Sequence, residues 1–554
     1  MPAEPLEWVI VNDFSPGIRG RVKPSDIGTT TQRRPGVASP DGTYRCQALP
    51  DGSLGPLPKR TYTLVPASIP ITIVSVEEGR LPISGFWVDG PIQTDVEFHV
   101  AYEGALVSGT KGFWYWQRIR HFTDDSIDTL KSFNPTTNDH TVRNVRPTWF
   151  HNYRAHASDA TQPGTPAVVA GWFDAGGGGD RVWHLFPDPD TPTSNTPGSV
   201  EQTQGGAAAT LDPSHAFAHQ GRSVVLDQNS YAHGANSFVW THNEDIYFTE
   251  SNLDYMTSII AQTFGMENAV GYVGAISTNY SELLLLKNSG GGLFIRGDIA
   301  DPTVLRVPGI PAVGNVRHSP TTSPVGVVFL AGDTGAWLWN GGESAENISY
   351  DAIDGTDFIV TRQSNTAGGS DFLDYAGRIY HWYNYVIFPN NWVWDWQHQS
   401  WWRLENPTDV VLFHVGPDSP TLGRLYAAPA FLESASDILV YGYDIATPAD
   451  NWQWTSQPLP IREDKLFQLR EIILVASGHG TVQVNVTDYA GASETHTFTV
   501  NSTTSPAFFR DNSGADCRNL KFTLVADEDG MTPVVHEVRF GFRDAAHYEF
   551  NTGP

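Results

Sequence analysis

The chain has 554 residues, of which only 17% are charged, yet its formal net charge is −27. That length exceeds one hydrophobic core and implies two or three domains. The acidic balance excludes a surface of Lys and Arg stripes that wraps nucleic acid, while leaving room for an acidic surface that DNA slides past. Eighteen Trp, 52 Gly and 38 Pro point to short strands and many turns rather than helices.

Residues 1–74 read as an extended, turn-rich N-terminal arm. Glu7 to Val11 is a candidate strand, followed by the tight turns of Asn12 to Ile18, Arg34 to Val37 and Pro50 to Lys59. No basic region followed by an apolar run opens the chain, so no signal peptide is expected. No stretch approaches the ~18–20 apolar residues of a membrane span.

From about residue 75 to 446 a sheet pattern recurs every ~40–55 residues, the range of propeller blades. Successive units centre on Gly85–Trp116, Trp149–Phe186, Ser223–Phe248, Gly271–Gly297, Gly326–Gly341, Gly377–Leu404 and Val410–Asp444. One helix, capped by Asn252 and running from Leu253 to Thr263, is expected after the third unit. The sixth unit is the clearest. Asn384 to Phe388 and Trp392 to Asp395 are strands joined by a turn at Pro389-Asn390-Asn391, and Gln397 to Ser400 turns the chain into Trp401 to Leu404. Trp337, Trp339, Trp392, Trp394, Trp401 and Trp402 are expected as structural blade residues, since alternate aromatics on a strand share a face that packs on the next blade. The repeat predicts an all-β chain with a six- to seven-bladed β-propeller.

After Ala446 the texture changes. A strand over Gln468–Val475 and clean alternation in Thr481–Val486, Glu494–Val500 and Leu520–Val525 predict a C-terminal β-sandwich over residues 450–554.

Several phrases resemble those of bacteriophage tail β-propeller proteins of the nozzle and minor tail type. They are Leu283–Lys287 with Leu293–Asp298, the Val307-Pro308-Gly309 turn, Val328–Gly335 with Leu338–Gly341, and the opening Asn12–Ile18 followed by Arg34-Pro35-Gly36. The resemblance implies a virion tail location and a structural part in the tail channel or tip. The partners it implies are copies of the same chain in a ring, six-fold if of the nozzle type, other tail or adaptor proteins, DNA in transient passage through an acidic channel, and the host cell surface.

Chemistry-bearing motifs are few. Carboxylates at Asp124-Asp125, Asp188, Asp190, Glu244 and Asp245 are not paired by sequence, as a glycosidase would need. Asp333-Thr334-Gly335 is a fragment of a sialidase-like box that a plain turn explains better. The loop from Asp174 to Asp180 reads as a flexible hairpin rather than an anion or metal cradle, because two isolated carboxylates make a poor calcium site. His398 beside Trp401 and Trp402 reads as part of a blade edge. Cys46 and Cys517 are expected as free thiols, a bridge between them being the less favoured alternative. The expectation is therefore a chain with no catalytic, metal or cofactor residues and no enzymatic activity. The alternative is a carbohydrate-binding adhesin or propeller glycosidase acting on the bacterial cell surface. Exposure of Trp392, Trp394, Trp401 and Trp402 would favour the adhesin, and burial the scaffold.

Overall fold

The computed structural model describes residues 5–21 and 33–64, the strands alone between 81 and 277, most of 282–362, 372–374, 379–407, the strands within 411–449, and 451–460, 466–488, 491–517, 519–527 and 532–544. Among the described residues there is no α-helix. The regular elements are strands and one 3-10 turn, Gly355–Phe358. No helix there is long and apolar enough to cross a membrane. The helix expected over 253–263 lies outside the described residues, except that Gln262–Thr263 forms a short strand.

Among the described residues seven antiparallel sheets of four or more strands follow one another along the chain, with a two-stranded hairpin, Val360–Arg362 with Phe372–Asp374, between the fifth and the sixth. Blade 1 runs through Leu81–Asp89, Val96–Glu103, Trp114–His121 and Ile127–Phe133. Blades 2, 3 and 4 begin at Val145–Ala155, Pro213–His219 and Tyr272–Ser277. Blade 5 begins at Thr321–Ser323, blade 6 at Tyr380–Trp382 and blade 7 at Val411–Val415. First strands of neighbouring blades touch from blade 1 to blade 4 and from blade 5 to blade 7, and the first strand of blade 7 touches that of blade 1. The described sheets agree with the six- to seven-bladed β-propeller that the repeat predicts. An apolar wedge of Leu284, Leu286, Phe294, Val327, Phe329 and Trp339 fills the seam between blades 4 and 5.

The closure has a feature that the sequence hides. Blade 7 contributes Val411–Val415, Leu425–Pro429 and Val440–Pro448, and its fourth strand is Pro58–Leu64 from near the start of the chain. Phe431–Leu432, within blade 7, reaches across to pair with Leu81 and Pro82 of blade 1. The segment read as a single arm thus divides. Its strand Pro58–Leu64 belongs to the propeller, and its described strands from Glu7–Asp13 to Leu54–Pro56 belong to the sandwich.

In that sandwich, Glu7–Asp13 lies between Arg33–Pro35 on one side and Val534–Asp544 on the other. Phe14 and Ile18 are fully buried, so the arm is extended but fastened to its own chain. Phe14 meets Trp454 edge-on, with ring centroids 5.2 Å apart. The strands expected as Gln468–Val475 and Thr481–Val486 are one 21-residue strand, Phe467–Thr487. Its first half pairs with Val534–Asp544 and its second half with Asn519–Asp527. The strand turns the corner between the two layers at Gly478 and Gly480, whose φ values of 101° and 131° are open to glycine alone. A strand can therefore change layer without ending. Val482, Val484 and Val486 alternate inward against Leu520, Phe522 and Leu524, as the period-2 pattern requires.

One hydrophobic core runs from the arm through blades 5, 6 and 7 into the sandwich. At this junction Arg45 donates from Nε (2.8 Å) and Nη2 (2.5 Å) to Glu405 Oε2, and the Tyr443 hydroxyl donates to Oε1 at 2.8 Å. The Arg45 Nη1 donates to Asn451 Oδ1 at 2.6 Å. Glu405 is 2% exposed, so its charge is stable there only because these donors replace water.

Candidate functional site

Blade 6 is built as its sequence implies. Asn390 and Asn391 have φ of 59° and 66°, the left-handed pair of a tight hairpin, which Asn tolerates better than other side chains. Trp392–Asp395 pairs with Tyr385–Ile387 and with Ser400–Arg403. Asp395, 1% exposed, shapes the turn that follows. Its Oδ1 accepts the backbone N–H groups of Gln397 (3.0 Å) and His398 (3.2 Å), and His398 Nδ1 lies 2.6 Å from its Oδ2. His398 is thus a turn partner on the blade edge. The turn pushes Trp396 out to half-burial, and its Nε1 donates to the Tyr383 carbonyl at 3.2 Å.

Four of the six tryptophans expected to be structural sit in this blade, and all are buried. Trp392 and Trp402 have no exposure, and Trp394 and Trp401 have 3% each. Arg403 stacks its guanidinium 4.0 Å above the centroid of Trp392. Burial pushes the Arg403 pKa down to about 10, which leaves it charged at neutral pH. Trp339 is buried in blade 5 and meets Phe294 edge-on at 5.1 Å, while Trp337 is half-buried and donates to Thr334 Oγ1 at 3.1 Å. Thr334 closes a turn through its N–H to the Ala331 carbonyl at 3.0 Å, as the plain-turn reading of that segment expects.

The segment Pro16–Arg21 crosses the edge where blade 6 faces blade 5. Ile18 N–H donates to the Trp401 carbonyl (2.8 Å), Gly20 N–H to Ala352 O (2.7 Å) and Arg21 N–H to Asp351 O (3.0 Å). At Gly17, with φ 63°, a Cβ would stand 2.9 Å from the Trp401 carbonyl oxygen, so a side chain there would lift the segment off the blade. Trp401 in turn donates from Nε1 to Ile348 O at 2.8 Å, which ties the blade 5 loop to blade 6.

These contacts frame an open cleft of about 200 Å³ between blade 5, blade 6 and the arm. Its lining includes Arg19, Glu346, Tyr350, Trp394, Trp396 and Gln399. Tyr350 is 62% exposed, and the Arg21 guanidinium lies 5.6 Å from its ring centroid. Asp351 and Asn347 also border it. Beside it, the backbone N–H of Thr356, then its hydroxyl, then the Arg21 charge hold the Asp354 carboxyl below its ordinary range. The cleft therefore offers aromatic surface next to carboxylate and amide groups.

Sequence reading missed this constellation because Tyr350 lies in a loop, Glu346 sits in a strand of only two residues, Glu346–Asn347, and Trp396 follows the strand rather than sitting in it. The signal available was a third tryptophan directly after Trp392 and Trp394, which alternation would place on their face and the turn does not. The carboxylates Asp124, Asp125, Asp188, Asp190, Glu244 and Asp245 and the loop 175–180 lie outside the described residues. Among the described residues no group of three or more His, Cys, Asp or Glu is placed to hold a metal ion. Cys46 and Cys517 are free and buried. Burial raises Cys46 well above the ordinary thiol value and pushes Cys517 up to about 12.

No family model matches the chain, and no curated protein matches it in sequence. Among solved structures it is similar to an exo-β-1,3-galactanase from Phanerochaete chrysosporium in complex with β-1,3-galactotriose. The two share 7% identity over 86% of this chain and 99% of that one, with a TM-score of 0.31. It is also similar to a glycoside hydrolase family 43 arabinoxylan arabinofuranohydrolase from Bacillus subtilis in complex with cellotetraose. Here identity is 10% over 84% of this chain and 96% of that one, with a TM-score of 0.25. By name both are carbohydrate-cleaving enzymes, and the expectation of a chain without enzymatic activity is corrected accordingly: the exclusion of an enzyme is withdrawn. At these TM-scores the likeness carries no argument about which reaction or substrate belongs to this chain.

Proposed function

We propose that the protein is a bacteriophage tail component that engages a polysaccharide of the bacterial cell surface, with the cleft between blades 5 and 6 as its sugar site. The cleft lining is the observation that supports this. A sugar ring presents an apolar face of C–H groups and a rim of hydroxyls. Tyr350 and Trp396 supply flat amphipathic surface for the face. Glu346, Asp351, Asn347 and Gln399 supply acceptors and donors for the rim. A cleft of about 200 Å³ suits one ring or a chain end rather than a long stretch of polymer. The four buried blade tryptophans do not serve as stacking platforms, so the sugar reading rests on Tyr350 and Trp396 instead.

The tail reading draws on the opening phrase that resembles tail propellers. Its two halves, Asn12–Ile18 and Arg34–Gly36, are in contact. Gly36 N–H donates to the Asp13 carbonyl, and a Cβ on Gly36 would stand 2.6 Å from the Phe14 ring. The phrase fastens the sandwich to blade 6 and forms one wall of the cleft, through Pro16 and Ile18, with Arg19 directly after it.

The test is binding of bacterial-surface oligosaccharides on an array, followed by calorimetry on the best ligand. Trp396→Ala and Tyr350→Ala are expected to weaken binding about tenfold each, the loss of one stacking contact of ~1.4 kcal/mol, with folding unchanged. Absence of any saccharide ligand, or affinity indifferent to both substitutions, would refute the proposal. A reducing-end assay on the same ligand reports whether the bound chain is also cut.

A further inference from the structure

The strand Ser493–Asn512 pairs on one side only among the described residues, with Phe467–Thr487. A four-residue bulge, 503–506, facing Ser477, divides it into two parts. The bulge and the second part are guarded as free edges usually are, by Pro506 in the bulge and by the charges of Arg510 and Asp511 beyond it. The first part, Ser493–Ser502, is not. It is ten residues of continuous open edge, longer than the usual ~5–6 residue strand. From Thr495 to Ser502 it carries no Asp, Glu, Lys, Arg or Pro. Its inner face, His496, Phe498 and Val500, is buried, and its outer face, Thr495, Thr497, Thr499 and Asn501, is exposed. The one charge at its start, Glu494, is drawn inward onto the Ser513 hydroxyl at 2.7 Å.

We infer that this edge joins two copies of the chain across a two-fold axis, by antiparallel pairing of Ser493–Ser502 with itself. The occupant follows from what else is open and from charge. A head-to-tail contact would need a second, different edge of the sandwich. Arg33–Pro35 is only three residues long, with two arginines and a proline, and is a poor pairing partner. The edge at Trp452–Thr455 is covered by the arm, since Tyr44 bridges to Gln453 and Thr43 Oγ1 accepts the Thr455 N–H at 3.1 Å. An antiparallel strand, by contrast, is complementary to itself, as a two-fold interface requires. A molecule of net charge −27 repels its own copies, and an edge free of Asp and Glu from Thr495 to Ser502 lets a second copy approach at low electrostatic cost. Centred on Thr497, the pairing sets Thr495 against Thr499 and Ser493 against Asn501, with Glu494 opposite Val500. No like charges then face each other.

The inference stands independently of the sugar reading and is tested on the full chain by light scattering or sedimentation at micromolar concentration. The wild type is expected at twice 60.8 kDa. The double variant Thr497→Lys, Thr499→Lys is expected at 60.8 kDa with an unchanged circular dichroism spectrum, since both side chains are exposed. T497C should form a cross-linked dimer on mild oxidation, because the native thiols are buried. A monomeric wild type, a ring of more than two copies, a dimer that survives both lysines, or a T497C dimer that does not cross-link would each overturn the inference.

Discussion

Acid sensitivity is set at the level of single carboxylates. A hydrogen bond from His496, and secondarily the Asn512 N–H, hold Asp511 below its ordinary pKa against a partial burial that acts the other way. The Ser53 hydroxyl does the same for Asp51, and Thr356 for Asp354. A group whose folded pKa is depressed contributes stability that is fully present above its unfolded value, about 3.9, and is lost as pH falls through the folded value. Asp357 acts in the opposite sense: burial raises it, so its ionisation costs stability above the ordinary range, and acid relieves that cost. With three groups lowered and one raised, the melting temperature should be level above about pH 5 and fall below about pH 4. Asp511→Asn should flatten that acid limb, and melts from pH 3 to 6 with an equally steep limb in the variant would show that another group carries it. The residue scale is also where the sequence spoke most directly. Trp392-Val393-Trp394-Asp395 after Pro389-Asn390-Asn391 is a local statement, with alternation and turn chemistry in adjacent residues. Tyr350 is not legible in the same way, because nothing beside it reveals that Arg21 and Trp396 will be its neighbours.

Among elements, the short junction segment around Arg45, just before the strand Cys46–Ala48, carries more than its length suggests. Arg45 has a φ of 58°, in the left-handed region that non-glycine residues seldom enter. The backbone is held there because its N–H donates to the Arg403 carbonyl (2.7 Å) and its own carbonyl accepts the Leu57 N–H (2.9 Å). The side chain then reaches Glu405 and Asn451 at once. Removing it leaves Glu405 charged, buried and short of a partner. Arg45→Met is expected to cost ~3–5 kcal/mol, read as a drop in denaturant midpoint. Restoring stability by adding Glu405→Leu would show that the loss comes from the stranded carboxylate rather than from the backbone. A cost near zero for Arg45→Met would mean that water replaces the guanidinium at no penalty. None of this was visible in the chain order. The Pro58–Leu64 strand reads as part of a proline-rich arm because its partner, Val440–Pro448, lies in another part of the sequence, and strand pairing at that separation leaves no local mark. The long Phe467–Thr487 strand was read as two for a related reason: glycines in a strand usually announce a turn, and here they announce a bend.

At the scale of the whole molecule, propeller and sandwich are not separable modules. Phe14, Ile18, Trp401, Tyr443, Trp454 and Phe522 belong to one continuous core. Separate cores would melt separately, whereas a shared core couples blades 5 to 7 to the sandwich. Calorimetry is therefore expected to show one cooperative transition for these parts. A chain cut between Thr447 and Asn451 should yield a propeller of lowered stability rather than one that melts as before. Two well-separated transitions, with the sandwich unfolding first and blade 6 untouched, would refute the shared core. Composition and repeat length made the class of fold readable, because blade spacing and aromatic alternation are properties of sequence order. How the two parts meet was not readable, since the contact is made by an arm whose partners lie at the far side of both.

The closing strand of blade 7 bears on when the fold can be completed. Pro58–Leu64 is made early, and Val440–Pro448, which it pairs with, is made late. Glu7–Asp13 waits longer still, for Val534–Asp544. Contacts of such sequence separation form slowly, because a long loop must be closed before any pairing is gained. Blades 1 to 6 form their four-stranded sheets from hairpins of neighbouring strands and can assemble as the chain emerges, but the ring stays open until Val440–Pro448 exists and the sandwich stays short of a strand until Val534–Asp544 does. The early segment is thus a held-over part, and both ring and sandwich reach their final form only when it is set in place.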